Sequence, residues 1–105
     1  MAESLREKIE QVIWGEEKDV FVPVRVLVME ELRHRILPMI IWEIQAWALS
    51  KAEEHSQTHV KIDQIILAVR RNVADQEYHL SLQKLSKHHK DISLRYSTAA
   101  DACKD

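Results

Sequence analysis

The stretch Thr58-His-Val-Lys-Ile-Asp-Gln-Ile-Ile-Leu-Ala-Val-Arg-Arg-Asn72 decides how the rest of the chain is read. Val60 and Ile62 are β-branched, so residues 59–62 favour a short extended segment. Asp63 is a residue type that caps helices, and Ile65, Ile66 and Val69 follow it as an apolar face. Ile62 and Leu67 stand at the hydrophobic-staple positions around that cap. Arg70 and Arg71 suit the negative end of a helix dipole. A loop over Ser56 to Ile62 and a short capped helix behind it are therefore expected.

Upstream of that loop, a helix of roughly thirty residues is expected from Val24 or Val26 to His55. Met29, Leu32, Ile36, Ile40, Ile44 and Trp47 form one stripe, with Leu37, Ile41, Ala48 and Ala52 beside it. Between Ile36 and Leu49 nearly the whole circumference is apolar, which implies burial on almost all sides. Pro38 interrupts this stretch and either kinks the helix or divides it in two at Leu37-Pro38.

The first helix is expected over about Ser4 to Trp14. Ser4 and Glu7 have capping-box spacing, Leu5, Ile9, Val12 and Ile13 share a face, and Gly15 stands where a helix ends. Glu16 to Val24 reads as a connection, with Val20-Phe21-Val22 suited to extended pairing and Pro23 to the turn into the next helix. From Asp75 a fourth helix is expected, with Tyr78, Leu82, Leu85 and Ile92 on one side. The end is small and polar. Residues 1–94 are thus expected to form one domain and residues 95–105 a disordered tail.

Composition narrows the function. The chain has 105 residues, 46% of them hydrophobic, enough for one domain with a core. One Gly and two Pro leave few turns, against an all-β fold or a phosphate-cradling Gly loop. The formal charge of −2 lacks the basic excess of proteins that grip DNA mainly through phosphates. A single cysteine, Cys103, excludes an internal disulfide framework and fits a reducing compartment. Met1 to Glu10 is charged, unlike a signal peptide, and Ile36 to Leu49 is shorter than the ~20 residues of a membrane span.

A helix buried all round must be covered by something. Burying an Ile or Leu is worth ~1.5–3 kcal/mol, so exposing six or so of them would forgo on the order of 10 kcal/mol, as much as a domain's whole stability. A second chain crossing the long helix meets the need better than a four-helix bundle of near-equal helices. The expected partner-binding residues are Met29, Leu32, Ile36, Ile40, Ile41, Ile44, Trp47, Ile65 and Val69.

Two segments carry a family resemblance. Val26-Leu-Val-Met-Glu-Glu-Leu32 resembles the start of the central helix in transcription-factor histone-fold subunits, and Val60 to Asn72 resembles their second loop and third helix. The type of TATA-binding-protein-associated factor 13, and the related histone-fold subunit of SAGA, are the most similar. Trp14-Gly15 resembles the aromatic-Gly step after their first helix, and Asp75 to Tyr96 their extra C-terminal helix. The spacing from Glu31 to Val60 is several residues longer than theirs, and Leu32-Arg-His-Arg-Ile36 is similar to a TFIID subunit of a histone-like tetramer. A helix after the fold also occurs in subunits of the centromere protein S type.

The resemblance implies an all-α histone fold (short helix, long central helix, short helix) with an additional C-terminal helix. It implies a nuclear, non-catalytic subunit that heterodimerises with another histone-fold protein and scaffolds a TFIID- or SAGA-like transcription or chromatin complex. The alternative is a DNA-binding subunit of a kinetochore or DNA-repair complex. DNA contact is then expected to be weak or through the partner, with Arg70, Arg71, Lys84, Lys87 and Lys90 as the candidate residues.

Other chemistry is sparse. His55 and His59 straddle an expected helix end without a Cys-x-x-Cys or His-Glu-x-x-His, and His88-His89 point apart on a helix, so solvated histidines are expected and no metal or cofactor. Trp14, Trp42 and Trp47 are expected in packing rather than in a ligand cage.

Overall fold

The structure is a computed structural model and describes residues 4–34, 38–72 and 76–104. The described residues are helical, with no strand among them: α1 (Leu5–Ile13), α2 (Phe21–Arg33), α3 (Pro38–Asn72) and α4 (Gln76–Ala102). The all-α class is therefore as expected. The element bounds of a short, long, short order are not.

α1 forms where its sequence places it, and the Glu7 amide donates to Ser4 Oγ at 3.2 Å. α2 starts earlier than expected. Val20-Phe21-Val22 is not extended; Asp19 Oδ1 accepts the Phe21 amide, and Pro23 falls in the first turn, where its missing N–H is no loss. Pro38 resolves the choice left by the sequence, because α2 ends at Arg33 and a separate helix begins at Pro38, a first-turn position that tolerates proline.

The loop expected over Ser56 to Ile62 is absent: α3 continues unbroken to Asn72, and Asp63 lies inside it rather than capping a new helix. The reason is packing. Ile41, Ala48, His55, Ile62 and Val69 recur every seven residues, and Ala52, His59 and Ile66 interleave with them at four-residue steps. That is the pattern of a coiled-coil seam, and it overrides the weak β preference of Val60 and Ile62. α4 answers with Leu82, Ser86, His89, Ser93, Tyr96, Ala100 and Cys103 at alternating spacings of four and three.

α3 and α4 are an antiparallel pair. Trp47 meets Tyr96 edge-on at 5.7 Å, Ser93 Oγ donates to the Ala52 carbonyl at 2.7 Å, and His59 meets Ser86, so one index rises as the other falls. At 1.5 Å per residue α3 is ~52 Å long, close to the molecule's 57 Å principal extent. α1 and α2 cover only the end of this hairpin where α3 begins and α4 finishes. There Ile9, Ile13, Val24 and Val28 meet Ile41, Ile44, Ala48, Ile92 and Tyr96 in one core.

The expected disordered tail is also corrected, because α4 runs to Ala102 and Ala99, Ala100, Ala102 and Cys103 are buried. Their small side chains let α2 and α3 lie close against α4. Two arginines fasten the helix ends. Arg25 donates to the carbonyls of Ala102 and Lys104, and Arg95 donates to those of Ile13 (2.6 Å), Glu17 (2.7 Å), Val12 (3.0 Å) and Gly15 (3.2 Å). The carbonyls that α1 leaves unsatisfied at its C-terminus thus find a cation on α4.

Candidate interaction surface

The expected partner-binding residues do not share one free face. Ile41 and Ile44 are buried in the chain's own core, and Leu32 and Trp47 pack half-buried against it. Trp47 also lies under the Arg6 guanidinium, 5.0 Å from the ring centre. Met29, Ile40 and Ile65 are exposed and Val69 is half-buried. Ile36 lies outside the described residues. Of the stripe through Ile40, Ile44 and Trp47, Ile44 is buried and Trp47 is partly covered by Arg6 of α1, while Ile40 stays exposed.

A different stripe is left open. Met39 (65% exposed), Trp42 (66%), Leu49 (47%), Val60 (49%) and Leu67 (59%) stand on α3, with Ala46, Glu53, Ser56 and Asp63 completing a spacing of three and four. Trp42, expected in packing, is among the most exposed side chains. This row runs along the flank of α3 away from α1. Beside it lies a shallow groove between α3 and α4, lined by Ala52, Ser56, Val60, Ser93, Leu94 and Ser97. The sequence carried part of the signal: from Met39 to Leu49 apolar residues follow one another at three or four positions, offset from the stripe that fills the core.

Of the histidines expected to be solvated, His88 is exposed, whereas His55, His59 and His89 are half-buried between α3 and α4. His55 Nδ1 and His89 Nδ1 approach to 2.9 Å with stacked rings, and Tyr96 stacks on the other side of His55 at 5.7 Å. Trp14 meets His55 edge-on and donates its indole N–H to Tyr96 Oη at 3.2 Å. One turn along, Ser86 Oγ donates to Asp63 Oδ1 at 2.5 Å, while His59 Nδ1 lies 2.7 Å from that hydroxyl and its Nε2 3.4 Å from Asp63. Desolvation first, and then His89, lower the His55 pKa; desolvation, then His88 and His59, lower that of His89. Near neutral pH both rings are therefore uncharged, and one donates to the other. A polar layer in a helix seam fixes register, since any slip leaves its groups unpaired.

Burial also raises the Cys103 thiol, which favours the unreactive protonated form. Among the described residues no three His, Cys, Asp or Glu side chains converge as a metal would need, and no helix is long and apolar enough to cross a membrane. Lys84, Lys87 and Lys90 are exposed on α4, whereas the Arg70 and Arg71 side chains lie outside the described residues. No family model, curated protein or solved structure matches this chain.

Proposed function

We propose that this chain is a non-catalytic helical subunit that works by associating with a second chain through α3. The observation that carries it is the open row from Met39 to Leu67, large apolar side chains left outside a core that is already filled. Apolar groups gathered on one face mark an interaction site, whereas scattered ones do not.

A finer proposal makes the second chain a different histone-fold protein and the pair a nuclear scaffold in a TFIID- or SAGA-like complex. Its support is the likeness of residues 26–32 and 60–72, and the unbroken α3 across 56–62 weighs against it. The runner-up, a DNA-binding subunit in kinetochore or repair assembly, draws on exposed Lys84, Lys87 and Lys90; the net charge of −2 weighs against that.

The test is a capture experiment with the full chain as bait, wild type against Trp42→Lys/Leu49→Lys, read by quantitative mass spectrometry. A chain retained by wild type and lost by the variant, with circular dichroism unchanged, is the expected result. Its identity separates the finer proposals, a histone-fold protein supporting the first. The bait is isotope-labelled, so that a second copy of the chain also registers as prey; identical profiles would then refute association through α3.

A further inference from the structure

We infer that the second chain is another copy of this one, and that two copies pack α3 against α3, antiparallel, about a two-fold axis near Glu54. The inference rests on association through α3 and names the partner. It also favours a homodimer over a different histone-fold chain on the same face.

A two-fold interface is isologous: if residue i meets residue j of the other copy, j must meet i. The stripe obeys that condition in spacing, and in chemistry at its two large apolar pairs. It reads apolar at Met39, Trp42, Ala46 and Leu49, polar at Glu53 and Ser56, and apolar again at Val60 and Leu67 on either side of Asp63. Turned end for end about residues 54–55, Leu49 falls opposite the second copy's Val60, and Trp42 opposite its Leu67. Glu53 falls opposite Ser56, so neither central position buries a charge against a like charge. Ala46 falls opposite Asp63, a small residue that leaves room for a carboxylate already held by Ser86 and His59. A parallel arrangement would instead stack Glu53 on Glu53 in the seam, with no compensating cation at that position.

The size is adequate. Trp42, Leu49, Val60 and Leu67 each expose about half or more of their surface, on the order of 400 Å² per copy, so their pairing supplies most of the roughly 1,000 Å² expected of a specific interface. The groove formed by Ala52, Ser56, Val60 and Leu94 adds a concave strip beside the seam. Among the described residues no third helix lies over the hairpin beyond residue 59. A second hairpin laid along this flank makes a four-helix arrangement there, with α1 and α2 of each copy on the outer side.

Sedimentation equilibrium and cysteine cross-linking on the full chain test this. Wild type is expected to sediment as a dimer at micromolar concentration. Leu49→Lys/Val60→Lys is expected to weaken dimerisation by at least about 100-fold while keeping its helical spectrum. Cross-linking settles the register without those variants. A Leu49→Cys chain mixed with a Val60→Cys chain is expected to form a disulfide-linked dimer on oxidation. Leu49→Cys alone is not, because the two thiols would lie ~16 Å apart along the axis. Buried Cys103 serves as the background control. Linkage of Leu49→Cys to itself would overturn the antiparallel register. A monomeric wild type would overturn the homodimer; if that monomer still captures a different protein through Trp42 and Leu49, association through α3 survives, and if it captures none, both fall.

Discussion

Replacing Arg95 with methionine should detach α1 from the hairpin. The guanidinium is the main polar tie between α4 and the end of α1, and it donates to four carbonyls within 3.2 Å. Two of those bonds, to Ile13 and Val12, are part-buried, and the bond to Glu17 and the bond to Gly15 are exposed. Charge-assisted bonds contribute ~1.5–3 kcal/mol each when shielded and little when water competes. The two shielded bonds set a ceiling of about 6 kcal/mol. Water reaching the freed carbonyls recovers about half, leaving roughly 2–3 kcal/mol. For a chain of this size that lowers the thermal midpoint by about 8–12 °C. Urea melts followed at 222 nm measure it, with the fluorescence of Trp14 in a Trp42→Phe/Trp47→Phe background as a local probe. Arg95→Lys should recover less than half, because a point charge cannot span four acceptors. A methionine variant within 0.5 kcal/mol of wild type, or full recovery by lysine, would refute the role given to the guanidinium fork.

Acid should loosen the hairpin at its histidine layer. The folded pKa values of His55 and His89 are depressed, so as pH falls the unfolded chain takes up protons first; stability is intact above the ordinary histidine value of about 6.5 and is lost below it. His55→Gln/His89→Gln should flatten the thermal midpoint between pH 7.5 and 5, where Lys51, Glu54, His59 and His88 remain as neighbours; an unchanged slope would place the acid response elsewhere. Gln57→Pro should destabilise by ~3 kcal/mol or more in a urea melt if α3 is continuous there, and by almost nothing if residues 56–62 form a loop.

What the sequence made legible divides along physical lines. Ser4, Glu7 and the Leu5-Ile9-Ile13 face announce α1 because caps and apolar spacing are local signals. Pro38 marked a discontinuity, and only the fold showed that it starts a helix. Residues 56–62 misled because His55 and His59 occupy seam positions while looking like surface residues, and because Val60 and Ile62 carry a β preference that tertiary packing outweighs. Ala99, Ala100 and Ala102 looked like a loose tail for a similar reason: small side chains gain their packing value only where another helix lies close. The pairing stripe was sought on Ile40, Ile44 and Trp47. The open one at Met39, Trp42 and Leu49 becomes distinguishable once α1 has claimed the other side.

The clasp between Arg95, Tyr96 and the end of α1 has a consequence in time. Trp14 and Tyr96 are 82 residues apart, as are Arg95 and Ile13. A chain synthesised from its N-terminus makes α1 and α2 first, and although they can meet each other and the start of α3, their core stays open until residues 92–103 exist. The core at the front of the chain is therefore complete only once the hairpin has closed, and contacts of this long range slow folding. During translation the earliest helices are the last to be protected.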